Sequence, residues 1–598
     1  MPTTKQHLTQ LESTGLLRLA QTQPELEYLF RHALVQDAAY ESLLLADRKK
    51  LHRQIGETLE RLYPDRLDGL AATLAHHYIQ AGDEKKAAAY LIRAGDYAQR
   101  ITAIIEAVQF YEAALKRLPE SNKVERAETL SKLGTCQKVI FHQYEAIESF
   151  MAGEILFEAL GDKKRAAAME REIGEVNWEV GNKAKSLEHC YKALTILEQG
   201  PESIELAWAL SSVSHMHMVS SEYEQAIDTG ERALELAGRL QAEEVTVHAL
   251  NNVGMSYVGS GNAERGVAML QDSLSRALAL GLPHDTLRAY HNLGEALATV
   301  GRYNEAWNAF NSQQAYGEDI NSLGWFGSAT VLLTRLEWLL GEWDAALIRC
   351  RDQFDRFHNP RIFTHIPGIW ASSLLGRIYN DLGQAEVARQ ELESMLSSAR
   401  RADEVQTTLP HLTQLVRAYA ALGMELEAED IGNECFNWIR RNIGGDTGAE
   451  GTLPLLVICQ WFCSYSNPEK LNAAFFCLQR LELAHKQLGT LETETYFNEG
   501  RGSIALAEGN NAEAVEPFQH ATACWANLKR PYDQARALKY LGQTLAQASN
   551  VTDARDAFNQ ANGIIEMLAA QLDEAELKTS FLNSPLVKEI QAGLGVSE

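Results

Sequence analysis

Apolar and polar positions along most of this 598-residue chain follow the spacing of helices, and small residues interrupt them at a constant interval. A first series of small residues advances 40 positions at each step and consists of Gly134, Gly174, Ser214, Gly254 and Gly294. A second series, again 40 apart, consists of Gly181, Ser221, Gly261, Gly301 and Gly341. A third consists of Ala146, Ser186, Ala226, Gly266, Ala306 and Ala346. A fixed period of this length predicts an array of repeats.

The three series predict that one unit is a helix, a turn and a second helix. Two antiparallel helices approach closely only where side chains are small, and Gly also supplies the left-handed residue that ends a helix. The spacing continues through Gly383 and Gly423, which lie 42 and 82 residues after Gly341, and later through Ala474, Ala514 and Ala554. It predicts about eleven helix pairs from residue 122 onward, or twelve to thirteen if residues 70–118 are included.

These features resemble the tetratricopeptide (TPR) family, because Leu293-Gly294 and Tyr303, Ala306 and Phe310 match its two helices. The resemblance implies an all-α, right-handed superhelical solenoid. The usual unit is about 34 residues long, so the longer unit here resembles the arrays of kinesin light chains and of large bacterial signal-transducing ATPases. Such a resemblance is evidence for the fold and leaves the ligand open.

The first hundred residues follow a different pattern. Two short alternating runs, Leu16 to Ala20 and Leu26 to Phe30, predict a β-hairpin, and a single helix is expected from about His32 to Leu62. Residues 28–40, 51–52 and 74–78 resemble the segment that follows the nucleotide-binding module in ATPases linked to class III adenylate or guanylate cyclases. That resemblance implies a partial winged helix, and residues 577–587 resemble the tail of the same family.

The chain is therefore expected to divide into six parts. They are a winged-helix-like segment and linker helix (1–65), divergent helical repeats (66–121), regular 40-residue repeats (122–440), a Gly-rich loop or hinge (441–452), degenerate repeats (453–572) and a C-terminal tail helix (573–598).

Composition and missing motifs exclude several functions. A formal charge of −25, from 80 acidic and 55 basic residues without a basic stripe, argues against nucleic acid. No phosphate-binding Gly-x-x-x-x-Gly-Lys-Ser/Thr loop, Gly-x-Ser-x-Gly elbow or His-Glu-x-x-His helix occurs, so neither an enzyme nor a cofactor is expected. Without a signal peptide or a long apolar run, the chain is expected to be cytoplasmic. Packing is favoured over metal at three candidate sites, because His76-His77 and His215 with His217 point apart on a helix, and Cys459 with Cys463, one helical turn apart, lack a nearby His pair to complete a site.

The candidate site is the concave face, which the first helices line in the TPR family. Asn252 and Asn292 stand two positions before the helix-crossing Gly, where the resemblance implies a hydrogen-bonding ladder for a peptide backbone. The alternative, that they bond neighbouring repeats, is equally open. Further groove candidates, which could also fill the inter-helix core, are Trp178, His215, Met218, Met255, Arg288 and Glu295.

Two functions of different classes follow from this face. The first is a regulatory or scaffold module that binds a protein or peptide, in which case the partner could be an NTPase or cyclase module. The second is a sensor of a small molecule that controls an NTPase. A long open groove would favour the first and one deep pocket between repeats the second, and the sequence does not decide between them.

Overall fold

The computed structural model describes residues 4–21, 27–320, 322–354, 366–441, 451–465 and 467–595. The chain folds into two compact units, residues 1–136 and residues 137–598. The Gly-rich loop is predicted at residues 441–452. Arg441 ends one helix, Thr452 begins the next, and positions 442–450 lie outside the described residues.

The first unit begins with a helix and the predicted hairpin, in which Leu17 pairs with Phe30 in an antiparallel register. Helices follow as the apolar residues adopt helical spacing. The elements are α1 (Thr4–Ser13), β1 (Leu17–Gln21), β2 (Glu27–Phe30), α2 (Ala33–Glu41), α3 (Leu45–Leu62), a 3-10 turn (Pro64–Arg66), α4 (Ala71–Ala81), α5 (Glu84–Arg100) and α6 (Ile104–Leu115), after which α7 (Lys123–Val139) runs to the second unit.

The prediction of a single helix from His32 to Leu62 is wrong, because one helix ends at Glu41 and the next begins at Leu45. Leu44 is extended, with φ −63° and ψ 147°. The Arg48 guanidinium donates hydrogen bonds to the carbonyl oxygens of Glu41, at 2.8 Å, and Leu43, at 3.0 Å. These bonds satisfy carbonyl groups that a continuous helix would have paired internally, so the break costs little.

The second unit is a succession of antiparallel helix pairs. Ten pairs follow one another from Lys163 to Ala570, and in the first seven the first helix ends at the predicted turn. The helices are α8 (Gln143–Ala159), α9 (Lys163–Glu179), α10 (Lys183–Glu198), α11 (Ile204–Val219), α12 (Tyr223–Leu240), α13 (Glu243–Gly259), α14 (Ala263–Leu280), α15 (Pro283–Thr299), α16 (Tyr303–Asp319), α17 (Leu323–Leu339), α18 (Trp343–Phe354), α19 (Ile366–Asp381), α20 (Ala385–Ala402), α21 (Thr408–Ala421), α22 (Glu425–Arg441), α23 (Thr452–Cys463), α24 (Pro468–Leu488), α25 (Leu491–Ala507), α26 (Asn511–Asn527), α27 (Pro531–Gln547), α28 (Val551–Ala570), α29 (Ala575–Leu582) and α30 (Pro585–Gly595).

The small-residue series have the roles that their spacing predicts. The turn series from Gly181 to Gly423 has positive φ throughout, including 58° at Ser221. In the helix-crossing series, a Cβ at Gly294 would lie 2.2 Å from the ring of Phe310, which is fully buried. The repeated small residues therefore set both the turn geometry and the distance between paired helices.

Successive superhelical turns of the second unit contact each other. Trp178 Nε1 donates to Glu404 Oε1 at 2.7 Å, and Gln571 Nε2 donates to the carbonyl oxygen of Gly341 at 2.6 Å. Gln487 Nε2 donates to the carbonyl oxygen of Gly259 at 3.2 Å, across 228 residues. At 40 residues a repeat, that separation corresponds to about 5.7 repeats in one superhelical turn.

The contact between Trp178 and Glu404 predicts a pH dependence of stability. Glu404 is 1% exposed, and burial raises the pKa of its carboxyl group to about 7, from 4.5 in the unfolded chain. Between these two values the folded chain binds more protons than the unfolded chain, so stability falls as pH rises and the penalty is complete above pH 7. We expect Glu404→Gln to remove a penalty of roughly 3 kcal/mol at pH 8 and to have little effect below pH 5.

The measurement is thermal unfolding of wild type and Glu404→Gln at pH 5 and pH 8, followed by circular dichroism. Exposed Glu427→Gln is the matched control, because it removes the same charge from the surface of α22. A gain in melting temperature that is equal at the two pH values would contradict the assignment of a raised pKa to Glu404.

Candidate ligand cavity

A cavity of about 260 Å³ lies inside the second unit, and the first helices of the pairs form its wall. Residues from eight of them, α11, α13, α15, α17, α19, α21, α23 and α25, line it. These helices surround a partly open space between stacked superhelical turns. The structure thus has a partly open cavity where the sequence left a groove or a pocket open.

Much of the cavity wall is apolar. Trp370 contributes an indole ring that stacks on the imidazole of His291, with centroids 5.6 Å apart and planes inclined by 15°. Burial lowers the pKa of His291 to about 4, so this histidine is neutral at pH 7. Other apolar wall residues are Met218, Val219, Met255, Val331, Leu332, Leu336, Leu339, Leu374, Val405, Pro410, Leu453 and Pro454.

Charged side chains enter the wall mainly as pairs. Arg335 Nη2 lies 2.6 Å from Glu295 Oε1. Arg530, only 1% exposed, is bonded to Glu492, Asp533 and the hydroxyl of Tyr496. A buried charge needs such partners, because transfer from water without them is costly.

One row of positions follows the repeat from α9 to α21, and four of its seven members, Met255, Glu295, Arg335 and Arg377, line the cavity. Its members before the 42-residue step are Glu175, His215, Met255, Glu295 and Arg335, and those after it are Arg377 and Arg417. Neighbours in the row interact directly: Glu175 Oε2 lies 3.2 Å from His215 Nδ1, and Glu295 pairs with Arg335. Three of the seven, His215, Met255 and Glu295, were predicted from the sequence, whereas Glu175 and the three arginines were not, although the same 40-residue step and the offset after Gly341 lead to them.

Four of the eight predicted groove residues line the cavity, namely Met218, Met255, Asn292 and Glu295. Asn292 also donates from Nδ2 to Asn251 Oδ1 at 2.5 Å, a bond between neighbouring repeats. The bond between repeats is thus present, and a hydrogen bond from Asn292 to a peptide stays a prediction.

The other four predicted residues belong to a polar network between the repeats. Asn252 is fully buried, donates to the carbonyl oxygen of Ser211 at 2.8 Å and accepts from Arg288. Trp178 is bonded to Glu404, and its ring packs edge-on against His215, with centroids 5.0 Å apart. Burial, together with the charge of Arg288, lowers the pKa of His215. A ligand role for these four stays a prediction.

Other sites weighed in the sequence are not assembled. Across the described ranges, no three His, Cys, Asp or Glu side chains are grouped to hold a metal ion. All eight cysteines are free thiols, and six of them are buried. No described helix is both long and apolar enough to span a bilayer.

Comparison with known proteins supports the repeat architecture. Residues 245–312, which form α13 to α16, match the tetratricopeptide repeat family. An uncharacterised protein of Rhizobium meliloti (strain 1021) is 32% identical over 125 residues, a stretch that covers 20% of this chain and 12% of that relative. The matched stretch thus spans a small part of the relative's length. The fold is a TPR-like solenoid of helix pairs with a two-stranded hairpin near its N-terminus.

Solved structures of helical-repeat proteins also resemble the chain. A Rap protein complexed with competence and sporulation factor has a TM-score of 0.45 and 14% identity, over 60% of this chain and 99% of that one. The Cut9–Hcn1 hetero-tetramer of the APC/C has a TM-score of 0.41 and 13% identity, over 85% of this chain and 96% of that one.

Proposed function

We propose that the chain is a non-catalytic binding module that holds a short peptide segment of a partner protein in the cavity. The observation that carries the proposal is one cavity lined by residues from eight first helices. Ligand cavities lined by several elements, largely apolar with a few convergent polar groups, are the usual form of a binding site.

The size of the cavity limits the occupant. At about 260 Å³ it lies just below the range of roughly 300–1,000 Å³ for drug-sized ligands. An α-helix, about 10–12 Å across with its side chains, would not fit inside. An extended segment of two or three residues, at about 3.3–3.6 Å per residue, matches it better.

The chemistry of the wall supports a peptide as the occupant. Neutral amides and hydroxyls of Asn292, Ser373, Thr413 and Gln414 lie among the apolar side chains. A peptide matches both the polar and the apolar residues of the wall, because its backbone donates and accepts hydrogen bonds while its side chains bury apolar area. Since Gln414 Oε1 also accepts from Arg417 at 2.9 Å, its orientation is fixed before a ligand arrives.

An NTPase or cyclase module is the partner class that we favour. The resemblance of residues 28–40 and 74–78 to the segment after a nucleotide-binding module supports this choice, as does the absence of a phosphate-binding loop from the sequence. In that arrangement the first unit would adjoin the motor and the second would sense the peptide. Reconstitution with a purified candidate module would test it, and no change in its hydrolysis rate would contradict it.

A small organic molecule is the second candidate function. It is favoured by the limited volume, since one pocket between repeats, rather than a long groove, is expected of a small-molecule sensor. The two candidates differ in the expected response to peptides, because only a peptide site retains members of a mixed peptide pool.

The proposed function predicts that filling the cavity abolishes peptide binding. Thr299 lines the cavity at the end of α15, and its hydroxyl donates to the carbonyl oxygen of Glu295, at 2.9 Å. We expect Thr299→Trp to lower retention of a pool of N-acetylated tripeptides on the immobilised full chain by at least about tenfold, because the indole occupies their space. Exposed Thr552→Trp, on α28, is the matched control.

Retained peptides would be identified by mass spectrometry, and circular dichroism would verify that both variants fold. Equal retention by Thr299→Trp and Thr552→Trp would show that peptides bind elsewhere. If wild type retains no tripeptide, the peptide proposal fails and the small-molecule candidate takes its place.

A further inference from the structure

We propose that the cavity selects a ligand with a carboxylate next to an apolar side chain, and that Arg377 binds this carboxylate. The proposal rests on the proposed function and adds the chemical class of its ligand. The shared chemistry has two sources in peptides, a free C-terminus and an Asp or Glu side chain.

Arg377 lies four residues before the end of α19 and lines the cavity. Its side chain is 13% exposed, yet its contacts with acids are long: Nε is 3.7 Å from Asp381 Oδ2 and Nη2 is 3.9 Å from Asp533 Oδ1. Within the described part of the chain, it makes no hydrogen bond as short as 3.5 Å. A guanidinium carries five N–H donors. An arginine whose acidic neighbours lie this far away can therefore donate hydrogen bonds to a ligand.

The two acids near Arg377 are bonded to other side chains. Asp381 accepts from Arg417 at 2.7 Å and from Trp338 Nε1 at 3.0 Å. Asp533 pairs with Arg530 at 2.5 Å and with Arg536 at 2.6 Å. They offset the charge of Arg377 from a distance, which keeps a buried cation tolerable, but they do not occupy its N–H groups.

The remaining arginines of the wall are already paired. Arg335 is bonded to Glu295, and Arg530 to Glu492 and Asp533. The wall contains three arginines and two glutamates, although the whole chain has a formal charge of −25. The lining of the cavity therefore has a net formal charge of +1, opposite in sign to that of the chain, and among its arginines Arg377 has the longest contacts with acids.

The residues around Arg377 indicate which chemical group adjoins the carboxylate of the ligand. Trp370, Ser373 and Leu374 precede it on α19 by seven, four and three residues, and all of them line the cavity. This spacing places them on one stripe of the helix. A carboxylate on the guanidinium can form two parallel N–H···O bonds, which are stronger in a largely apolar site than in water, while the adjoining side chain packs on Trp370 and Leu374.

The test uses three pools of N-acetylated tripeptides on the immobilised full chain. The neutral pool has carboxamide ends and no Asp or Glu, the second pool differs only in a free C-terminal carboxylate, and the third has carboxamide ends and one Asp or Glu. We expect wild type to retain at least one acidic pool about tenfold more than the neutral pool, as a charge-assisted bidentate contact implies. Which acidic pool is retained identifies the source of the carboxylate.

Three variants locate the effect. Arg377→Gln should bring the ratio of acidic-pool to neutral-pool retention to about one, whereas Arg377→Lys should restore part of the preference. Arg389→Gln removes an arginine that pairs with Glu386 and Glu393 on α20, outside the cavity, and should keep the full preference. Circular dichroism of each variant verifies its fold.

Equal retention of all three pools by wild type would overturn the carboxylate proposal and leave the proposed function intact. A preference that survives Arg377→Gln in folded protein would also overturn it. Failure to retain any pool would overturn both.

Discussion

Asp533→Asn is expected to lower the free energy of unfolding by about 3–5 kcal/mol, the cost of removing one partner from a buried ion pair. Asp533 is 2% exposed and contacts both Arg530, itself 1% exposed, and Arg536. Burial opposes its ionisation, but the charges of the two arginines hold the pKa of Asp533 well below its ordinary value. Its contribution is therefore present at neutral pH and is lost as pH falls toward that depressed pKa.

The measurement is urea unfolding of the full chain at pH 7, followed by circular dichroism, with Asp556→Asn as control. Asp556 lies on the exposed side of α28, where loss of a charge should change stability by less than about 0.5 kcal/mol. Equal unfolding midpoints for the two variants would contradict a buried network that holds α25 and α27 together.

Gly261→Ala is expected to destabilise the second unit by roughly 3 kcal/mol, because two costs add. Gly261 has φ 91°, where an L side chain is strained. A Cβ there would also lie 2.0 Å from the carbonyl oxygen of Gln487, in the next superhelical turn. The methyl group can be accommodated only if the two turns separate, so we also expect faster proteolysis near α24.

Comparison with Gly281→Ala isolates the second cost, the steric contact between the added Cβ and Gln487. Gly281 has a left-handed φ of 64°, but nothing lies within 4 Å of its added Cβ. This control should lose only about 1–2 kcal/mol, the backbone cost. Thermal unfolding and limited proteolysis of the two variants would give the same result if the superhelical turns did not contact each other.

The repeat could be predicted because its signal is local and recurs. Helix crossing demands a small residue at Gly294 and the turn demands a left-handed residue at Gly261, and each requirement returns with every unit. The break between Glu41 and Leu45 could not be read in the same way. It depends on hydrogen bonds from one side chain, Arg48, and the local pattern of apolar residues gives no sign of it.

Only part of the cavity lining could be predicted from the sequence. The repeat spacing led to Met218, Met255, Asn292 and Glu295, which line the cavity. Its shape depends on contacts between residues 226–230 positions apart, such as Trp178 with Glu404, and these follow from the superhelix rather than from any one unit. Arg377 lies beyond a 42-residue step, so a strict 40-residue count passes it by.

The central claim is that the cavity holds the ligand, and photo-cross-linking tests it most directly. Tripeptides retained by the full chain would be remade with photo-leucine at the apolar position, irradiated in the complex and mapped by mass spectrometry. We predict that cross-links fall on α15, α17 and α19, at residues such as Leu332, Trp370 and Leu374. Cross-links confined to residues 1–136 or to the exposed faces of the second helices would contradict the claim.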